Sequence, residues 1–179
     1  MPGRILVIGG QRSGKSRYAE SLVASSGLSP VYLATGSAGD AEMAERIALH
    51  RARRGETWRT VEEPIDLAGA LLRDTGPGFH VLVDCLTIWL SNLMGEGRLI
   101  EAETDALLSA LARVSGPVVL VSAEVGLGVI PDNSLARRFA DELGAINQRI
   151  AAAVDRVVLV TAGLPLVLKS EQPNTEVVI

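Results

Sequence analysis

A segment near the start of the chain has the composition of a loop that binds nucleotide phosphates. It runs Gly-Gly-Gln-Arg-Ser-Gly-Lys-Ser and matches the pattern Gly-x-x-x-x-Gly-Lys-Ser/Thr at every position. Its glycines let successive backbone N–H groups turn toward an anion, and the helix that follows presents its positive N-terminal end. An apolar strand pattern before the segment and a helical pattern after it give the context that this chemistry needs. The predicted phosphate-binding residues are Gly9, Gly10, Gln11, Arg12, Ser13, Gly14, Lys15 and Ser16.

Two side chains of this phosphate loop, and one acid further along the chain, could act on the phosphates and on Mg²⁺. We expect Lys15 to contact the outer phosphates and the Ser16 hydroxyl to ligate the metal ion. Asp84 ends the apolar run that begins at His80, which is where P-loop proteins keep the acid that orients Mg²⁺. Two structural alternatives remain open, a glycine-rich turn without a ligand and an acid that merely ends a strand.

A second group of chemically active residues surrounds His50. At helical spacing, His50 shares a face with Arg46, Arg53 and Arg54, and Arg51 lies beside it. Neighbouring cations disfavour protonation of an imidazole, so His50 would stay neutral and nucleophilic near pH 7. This combination suits a histidine that attacks phosphorus and forms a phosphoramidate. On spacing alone, a solvated basic helix face with an incidental histidine is the stronger interpretation.

The elements that must position these residues follow from the apolar pattern. Strands are predicted over residues 4–8, 31–34, 80–84, 117–122 and 156–161. Helices are predicted over residues 15–25, 40–54, 86–94, 102–114 and 134–154, and Pro64 is predicted to open another. Residues 58–63 are extended or loop, and residues 166–168 form a last short apolar piece. Strands that alternate with helices imply right-handed βαβ units, so we predict one α/β domain over residues 1–179 with a mostly parallel sheet flanked by helices.

Composition excludes several classes of protein. The net charge of -4 provides no overall positive field for nucleic acid or for an anionic membrane, so neither partner is expected. No apolar run approaches the roughly 18 residues of a membrane span, and the first residues lack the features of a secretory signal. The one cysteine, Cys85, cannot form an internal disulfide, which favours a reducing cytoplasm.

The phosphate loop by itself does not say whether the protein switches, pumps or transfers. A GTPase switch would show an Asn-Lys-x-Asp motif, and no Asn-Lys pair occurs in the sequence. The Leu-Ser-Gly-Gly-Gln signature of a transporter ATPase is also missing. A small-molecule transferase remains, and its competitors are a plain P-loop kinase and a non-catalytic nucleotide sensor.

An ordered set of motifs gives this sequence a family resemblance. After the phosphate loop come Tyr-Leu-Ala-Thr at 32–35, Arg-Ile-Ala-Leu-His-Arg at 46–51, Trp-Arg-Thr at 58–60 with Glu62, and Asp-Cys-Leu-Thr at 84–87. Glu-Val-Gly-Leu-Gly-Val-Ile-Pro at 124–131 and Ala-Arg-Arg-Phe at 136–139, with Asn-Gln at 147–148, complete the set. From Arg4 to about Lys169 the chain resembles the bifunctional adenosylcobinamide kinase / adenosylcobinamide-phosphate guanylyltransferase family of cobalamin biosynthesis.

The resemblance implies a RecA-like P-loop fold, a homotrimer and two reactions. ATP or GTP would phosphorylate adenosylcobinamide, and GMP from GTP would then be transferred to the new phosphate. In this family a histidine carries the GMP covalently, and the matching residue here is His50. Guanine nucleotide contacts carry over to the phosphate loop and to Ala34, Thr35, Gly36, Arg51, Ala52, Arg53, Arg54, Glu62 and Asp84.

Three further positions carry expectations of their own. The family usually has Asn or Asp before the Glu-Val-Gly motif, whereas this chain has Ala123, so we expect a polar contact to be lost there. His80 is interpreted as a structural or edge histidine because its surroundings in the sequence are apolar. Trp58 could stack on a base or a corrin edge, or pack beneath the helix that carries His50.

Overall fold

The structure is a computed structural model, and it describes residues 3–36, 54–55 and 57–170. Seven strands form one sheet, with helices on both faces. The strands are β1 (Arg4–Gly9), β2 (Ser29–Ala34), β3 (Arg59–Glu62), β4 (Phe79–Asp84), β5 (Val118–Ala123), β6 (Arg156–Thr161) and β7 (Leu164–Lys169). The helices are α1 (Lys15–Ala24), α2 (Leu67–Asp74), α3 (Leu86–Gly95), α4 (Ile100–Arg113) and α5 (Ser134–Ala153).

The order of strands across the sheet is β3-β2-β4-β5-β1-β6-β7. All neighbouring pairs are parallel except β6 and β7, which are antiparallel. One strand, β5, therefore lies between β1, which leads into the phosphate loop, and β4, which ends at Asp84. The carboxyl ends of these three strands meet at one edge of the sheet, where open α/β sheets bind ligands. A mostly parallel sheet flanked by helices is thus confirmed.

Alternating apolar side chains divide the core between the two faces of the sheet. Leu6, Val81 and Val83 pack with α2, α3, α4 and α5 on one face. Val7 and Leu82 pack with α1 on the other. Successive strand residues point to opposite faces, so strands with both faces covered become continuous apolar runs. This explains why the interior strands were recognisable in the sequence.

Most predicted elements are found close to their predicted bounds, and two ambiguous segments are resolved as strands. Residues 58–63 contain β3, and the last short apolar piece belongs to β7. Both are edge strands, and most of their side chains are exposed. The helix expected to open at Pro64 begins instead at Leu67, because the Asp66 side chain accepts from the Gly69 N–H and caps it. The predicted helix over residues 40–54 lies outside the described residues except for Arg54.

The ends of α5 are held by side chains at both termini. The Asn133 side chain accepts from the N–H groups of Leu135 and Ala136 at the N-terminus. At the other end, Lys169 Nζ donates to the carbonyl oxygens of Ala151, Ala152 and Val154 at 2.9, 3.0 and 2.6 Å.

Within the described ranges, no helix combines the length and apolarity that crossing a membrane requires.

Candidate active site

The phosphate loop connects β1 to α1 and is shaped by its own backbone. The Ser13 N–H donates to the Gly10 carbonyl at 3.3 Å, and the Tyr18 N–H donates to the Gly14 carbonyl at 3.0 Å. Gly14 has φ 96°, a left-handed conformation that suits glycine. No side chain caps the N-terminus of α1. The first N–H groups of α1 thus lack a side-chain acceptor at the end of the loop, where a bound anion would satisfy them.

Gly9 is required by a close approach at the base of the loop. A Cβ atom at this position would lie 2.4 Å from the Val160 carbonyl oxygen and 2.6 Å from Ser13 Oγ. The loop is further tied to the turn between β6 and β7, since the Gly163 N–H donates to the Ser13 carbonyl at 2.9 Å. The glycine at position 9 is therefore required by packing at the base of the loop.

Lys15 folds back across the phosphate loop. Its Nζ donates to the Gly10 carbonyl at 3.3 Å, so the side chain crosses the loop. Its charge also acts on Cys85, the residue after Asp84, and favours the thiolate there. Burial and the Asp84 carboxylate outweigh that effect and raise the pKa of Cys85 to about 11, so the thiol stays protonated and is no nucleophile near pH 7.

The segment after β2 is fastened to the end of β4. Thr35 Oγ1 donates to the Cys85 carbonyl at 2.8 Å and accepts from the Cys85 N–H at 2.9 Å. Asn92 Nδ2, from α3, donates to the Thr35 carbonyl at 2.8 Å. Ala34 lies opposite Asp84 on β4 and opposite Glu62 on β3. Tertiary structure thus brings Ala34, Thr35, Glu62 and Asp84 to one stretch of the sheet edge.

Tyr32 links Asp84 to Arg54. Its hydroxyl donates to Asp84 Oδ2 at 3.2 Å, and the Arg54 guanidinium carbon lies 3.2 Å from the centre of its ring. Burial and the Asp84 carboxylate raise the pKa of Tyr32 far above its ordinary value, so the hydroxyl remains a donor. Arg54 is buried, and its Nη1 has no hydrogen-bond partner. Trp58 meets Tyr32 edge to face at 6.4 Å between ring centres, so this indole packs against the α1 face.

Not every predicted site residue can be placed. His50, Arg51, Ala52 and Arg53 lie outside the described residues. In the part of the chain that is described, no cluster of three or more His, Cys, Asp and Glu side chains could hold a metal ion.

Two polar side chains that support the site had no role assigned from the sequence. Thr87 Oγ1 accepts from the Ala123 N–H at 2.8 Å, and Asn147 Nδ2 donates to the Ala123 carbonyl at 3.1 Å. The backbone at Ala123 is thus held from both sides although its side chain is apolar. Both residues belong to the ordered motifs, but their roles depend on contacts between elements that the sequence pattern does not specify.

His80 is structural. Its side chain is buried in β4, and neither ring nitrogen has a hydrogen-bond partner. Burial lowers the pKa of this imidazole and keeps it neutral. The edge interpretation is wrong, because β4 lies between β2 and β5.

Comparisons with known proteins identify the family of this chain. Residues 5–168 match the family described as cobinamide kinase / cobinamide phosphate guanyltransferase. The chain is 51% identical over 170 residues to the bifunctional adenosylcobalamin biosynthesis protein CobP of Pseudomonas aeruginosa, covering 94% of this chain and 98% of that protein. It is 41% identical over 180 residues to the bifunctional adenosylcobalamin biosynthesis protein CobU of Escherichia coli K12, covering 92% and 99%.

A solved structure of a Pyrococcus horikoshii OT3 protein shares the fold, with a TM-score of 0.58 at 11% identity over 95% of this chain and 87% of that one. The family match spans the phosphate loop, the Asp84 strand and the elements that join them. The chain belongs to the cobinamide kinase / cobinamide phosphate guanyltransferase family.

Proposed function

We propose that this chain phosphorylates adenosylcobinamide with ATP or GTP and then transfers GMP from GTP to adenosylcobinamide phosphate. Family membership supports the pair of reactions, and the phosphate loop beside Asp84 supports a shared triphosphate site. The proposal includes a cytoplasmic location, because both nucleotides and a reduced Cys85 belong to that compartment. It also includes a homotrimer, which rests on the family resemblance.

In the kinase step, the acceptor hydroxyl attacks the γ-phosphorus and the nucleoside diphosphate leaves. The protein's part is to hold the phosphates in line and to balance their charge. The backbone N–H groups of the loop and Lys15 Nζ bind the phosphates. The Ser16 hydroxyl and the Asp84 carboxylate are oxygen donors of the kind that Mg²⁺ prefers, so these two residues would hold it. Bound there, the ion would neutralise charge on the phosphates.

In the second step, we assign the attacking group to His50. One imidazole nitrogen forms a bond to the α-phosphorus of GTP, and pyrophosphate leaves. A phosphate oxygen of adenosylcobinamide phosphate then attacks the same phosphorus and releases His50. Arg51, Ala52, Arg53 and Arg54, with Ala34, Thr35, Gly36 and Glu62, are proposed to contact the guanine nucleotide during this exchange.

The observation that carries this assignment is the position of Arg54. It is stacked on Tyr32, whose hydroxyl bonds to Asp84, and His50 precedes it by four residues. Four residues span at most about 14 Å of chain. This limit on the distance between His50 and Arg54 supports the proposal that His50 acts on a nucleotide bound at the phosphate loop.

Labelled GTP tests the proposal directly. The protein is incubated with α-labelled or γ-labelled GTP, without acceptor, and the covalently bound label is measured. We expect acid-labile, alkali-stable label from the α position alone, which is typical of a phosphoramidate. His50→Ala should abolish this label while sparing most phosphorylation of adenosylcobinamide, because the kinase step needs no protein nucleophile.

The second histidine provides the matched control. His80→Leu replaces the buried imidazole with an apolar side chain and should retain the label. Label that persists in folded His50→Ala, or loss of both activities in that variant, would show that His50 is not the covalent residue. A plain kinase would give no α-label in the wild-type protein, and a nucleotide sensor would give neither label nor corrinoid phosphorylation.

A further inference from the structure

The loop after β5 exposes a row of large apolar side chains to solvent. The exposed fractions are 43% for Val125, 83% for Leu127, 96% for Val129, 78% for Ile130 and 63% for Leu135. We call residues 125–135 the apolar lobe. Large apolar side chains scattered singly over a surface are ordinary, whereas a contiguous group of them marks a binding surface.

The base of the apolar lobe is fixed beside the phosphate loop. The Glu124 N–H donates to the Gly9 carbonyl at 3.0 Å. The preceding residue, Ala123, is held by Thr87 on one side and Asn147 on the other. Because β5 lies between β1 and β4, the lobe leaves the sheet between the phosphate loop and Asp84. A ligand on the lobe would therefore be continuous with the triphosphate site.

The lobe also borders a cavity that is open to solvent and lined mostly by apolar groups. This cavity of about 460 Å³ lies between the lobe and the start of α5. Its lining consists of Val125, Pro131, Asn133, Leu135, Ala136, Phe139 and Ala140. The polar member, Asn133, already uses its side-chain oxygen to cap α5. From Val125 to Pro131 the sequence carries no charge, in contrast to the phosphate loop with Arg12 and Lys15.

We propose that the apolar lobe and its cavity bind the corrin macrocycle of the acceptor. This inference rests on the proposed function, in which one corrinoid accepts first a phosphoryl and then a guanylyl group. A corrin is a broad ring that carries apolar methyl groups as well as amide arms at its rim, and its reacting group stands at the end of one further side arm. The uncharged part of the lobe, residues 125–131, binds the ring, and the charged loop beside it binds the phosphates. Since the ring is the same in both acceptors, one ring site serves both steps.

Separate sites for the corrin ring and for the triphosphate have a measurable consequence. Guanylylation of the protein by GTP needs no corrinoid, so it should not depend on the lobe. Both corrinoid-dependent steps should depend on it through the KM of the acceptor. A defect of the triphosphate site would instead change the dependence on GTP.

The test uses Val129→Ser/Ile130→Ser in the full-length protein. Both side chains are at least three-quarters exposed, so their loss should leave the fold intact. Leu99→Ser is the matched control, because Leu99 is exposed to the same 78% as Ile130 and lies outside the lobe. We expect the lobe variant to raise the KM for adenosylcobinamide, and the dissociation constant in equilibrium dialysis without nucleotide, roughly tenfold. Its α-label from GTP and its sedimenting mass should match those of the wild-type protein.

Each other result counts against the proposal. If the wild-type protein and the lobe variant bind adenosylcobinamide equally well, the ring site lies elsewhere. If affinity falls only together with the sedimenting mass, the lobe is an interface between copies of the chain. Failure of the proposed function is a separate outcome, because then the wild-type protein itself would neither bind nor phosphorylate adenosylcobinamide.

Discussion

At the scale of single residues, Tyr32 contacts both Asp84 and Arg54 in the candidate site. Tyr32→Phe removes the hydroxyl that donates to Asp84 Oδ2 and keeps the ring on which Arg54 stacks. A hydrogen bond to a charged group contributes about 1.5–3 kcal/mol. Without it the Asp84 carboxylate is held less firmly in position, so it should bind Mg²⁺ more weakly. We expect the Mg²⁺ concentration for half-maximal kinase activity to rise on the order of tenfold. Tyr18→Phe, at the other tyrosine of the chain, is the control; equal Mg²⁺ dependence in both variants would refute a positioning role for Tyr32.

Lys15 should matter for chemistry and little for folding. The hydrogen bond from its Nζ to the Gly10 carbonyl lies within the loop itself. We expect Lys15→Ala to lower both the kinase rate and the α-label from GTP by roughly 10²-fold or more, since a charge aimed at the transferring phosphates is lost. The urea midpoint should stay near the wild-type value. Full kinase activity in this variant would contradict the assignment of the phosphate site.

His80 should make the stability of the protein depend on pH. Burial lowers the pKa of its imidazole in the folded state below the value of about 6.5 in the unfolded chain. Between these two values the unfolded state binds more protons, so the free energy of unfolding decreases as pH falls below about 6.5. His80→Leu should flatten this decrease, which urea titrations at pH 5.5 and 7.5 would measure. An unchanged difference between the two pH values would show that other groups cause it.

Among the elements, β7 stabilises α5 through one side chain. Lys169 Nζ donates to three carbonyl oxygens at the C-terminal end of the helix, where a cation is also favoured by the helix dipole. Lys169→Met keeps the aliphatic stem and removes the donor, so we expect a loss of about 1–3 kcal/mol in the free energy of unfolding. Lys169→Arg should retain part of the stability. Equal urea midpoints for Lys169→Met and the wild-type protein would show that these bonds contribute nothing.

For the whole molecule, the oligomeric state remains a prediction from the family resemblance. A trimer has about three times the chain mass of 18.9 kDa, which sedimentation equilibrium distinguishes readily. We expect this mass at micromolar concentration, with and without GTP. A monomer under these conditions would overturn the prediction. The extent of one domain over residues 1–179 also stays a prediction.

The sequence alone determined the phosphate loop, the interior strands and the family. A phosphate loop is local chemistry, since eight consecutive residues supply both the backbone turn and the cation. Interior strands were visible because burial on both faces leaves runs such as Val81 to Val83 entirely apolar. The sequence was ambiguous for β3, whose residues are mostly exposed, and for β7, where Pro165 interrupts an edge strand.

Only the tertiary structure decided which distant residues meet. The order of the strands is set by pairing between segments far apart in sequence, and no local pattern encodes that β5 separates β1 from β4. The Tyr32 hydroxyl reaches Asp84 because β2 and β4 are neighbours and their register places Ala34 opposite Asp84. The tertiary structure likewise decided that Arg54 stacks on Tyr32 and that the apolar lobe begins beside Gly9. A side chain's function depends on what packs against it.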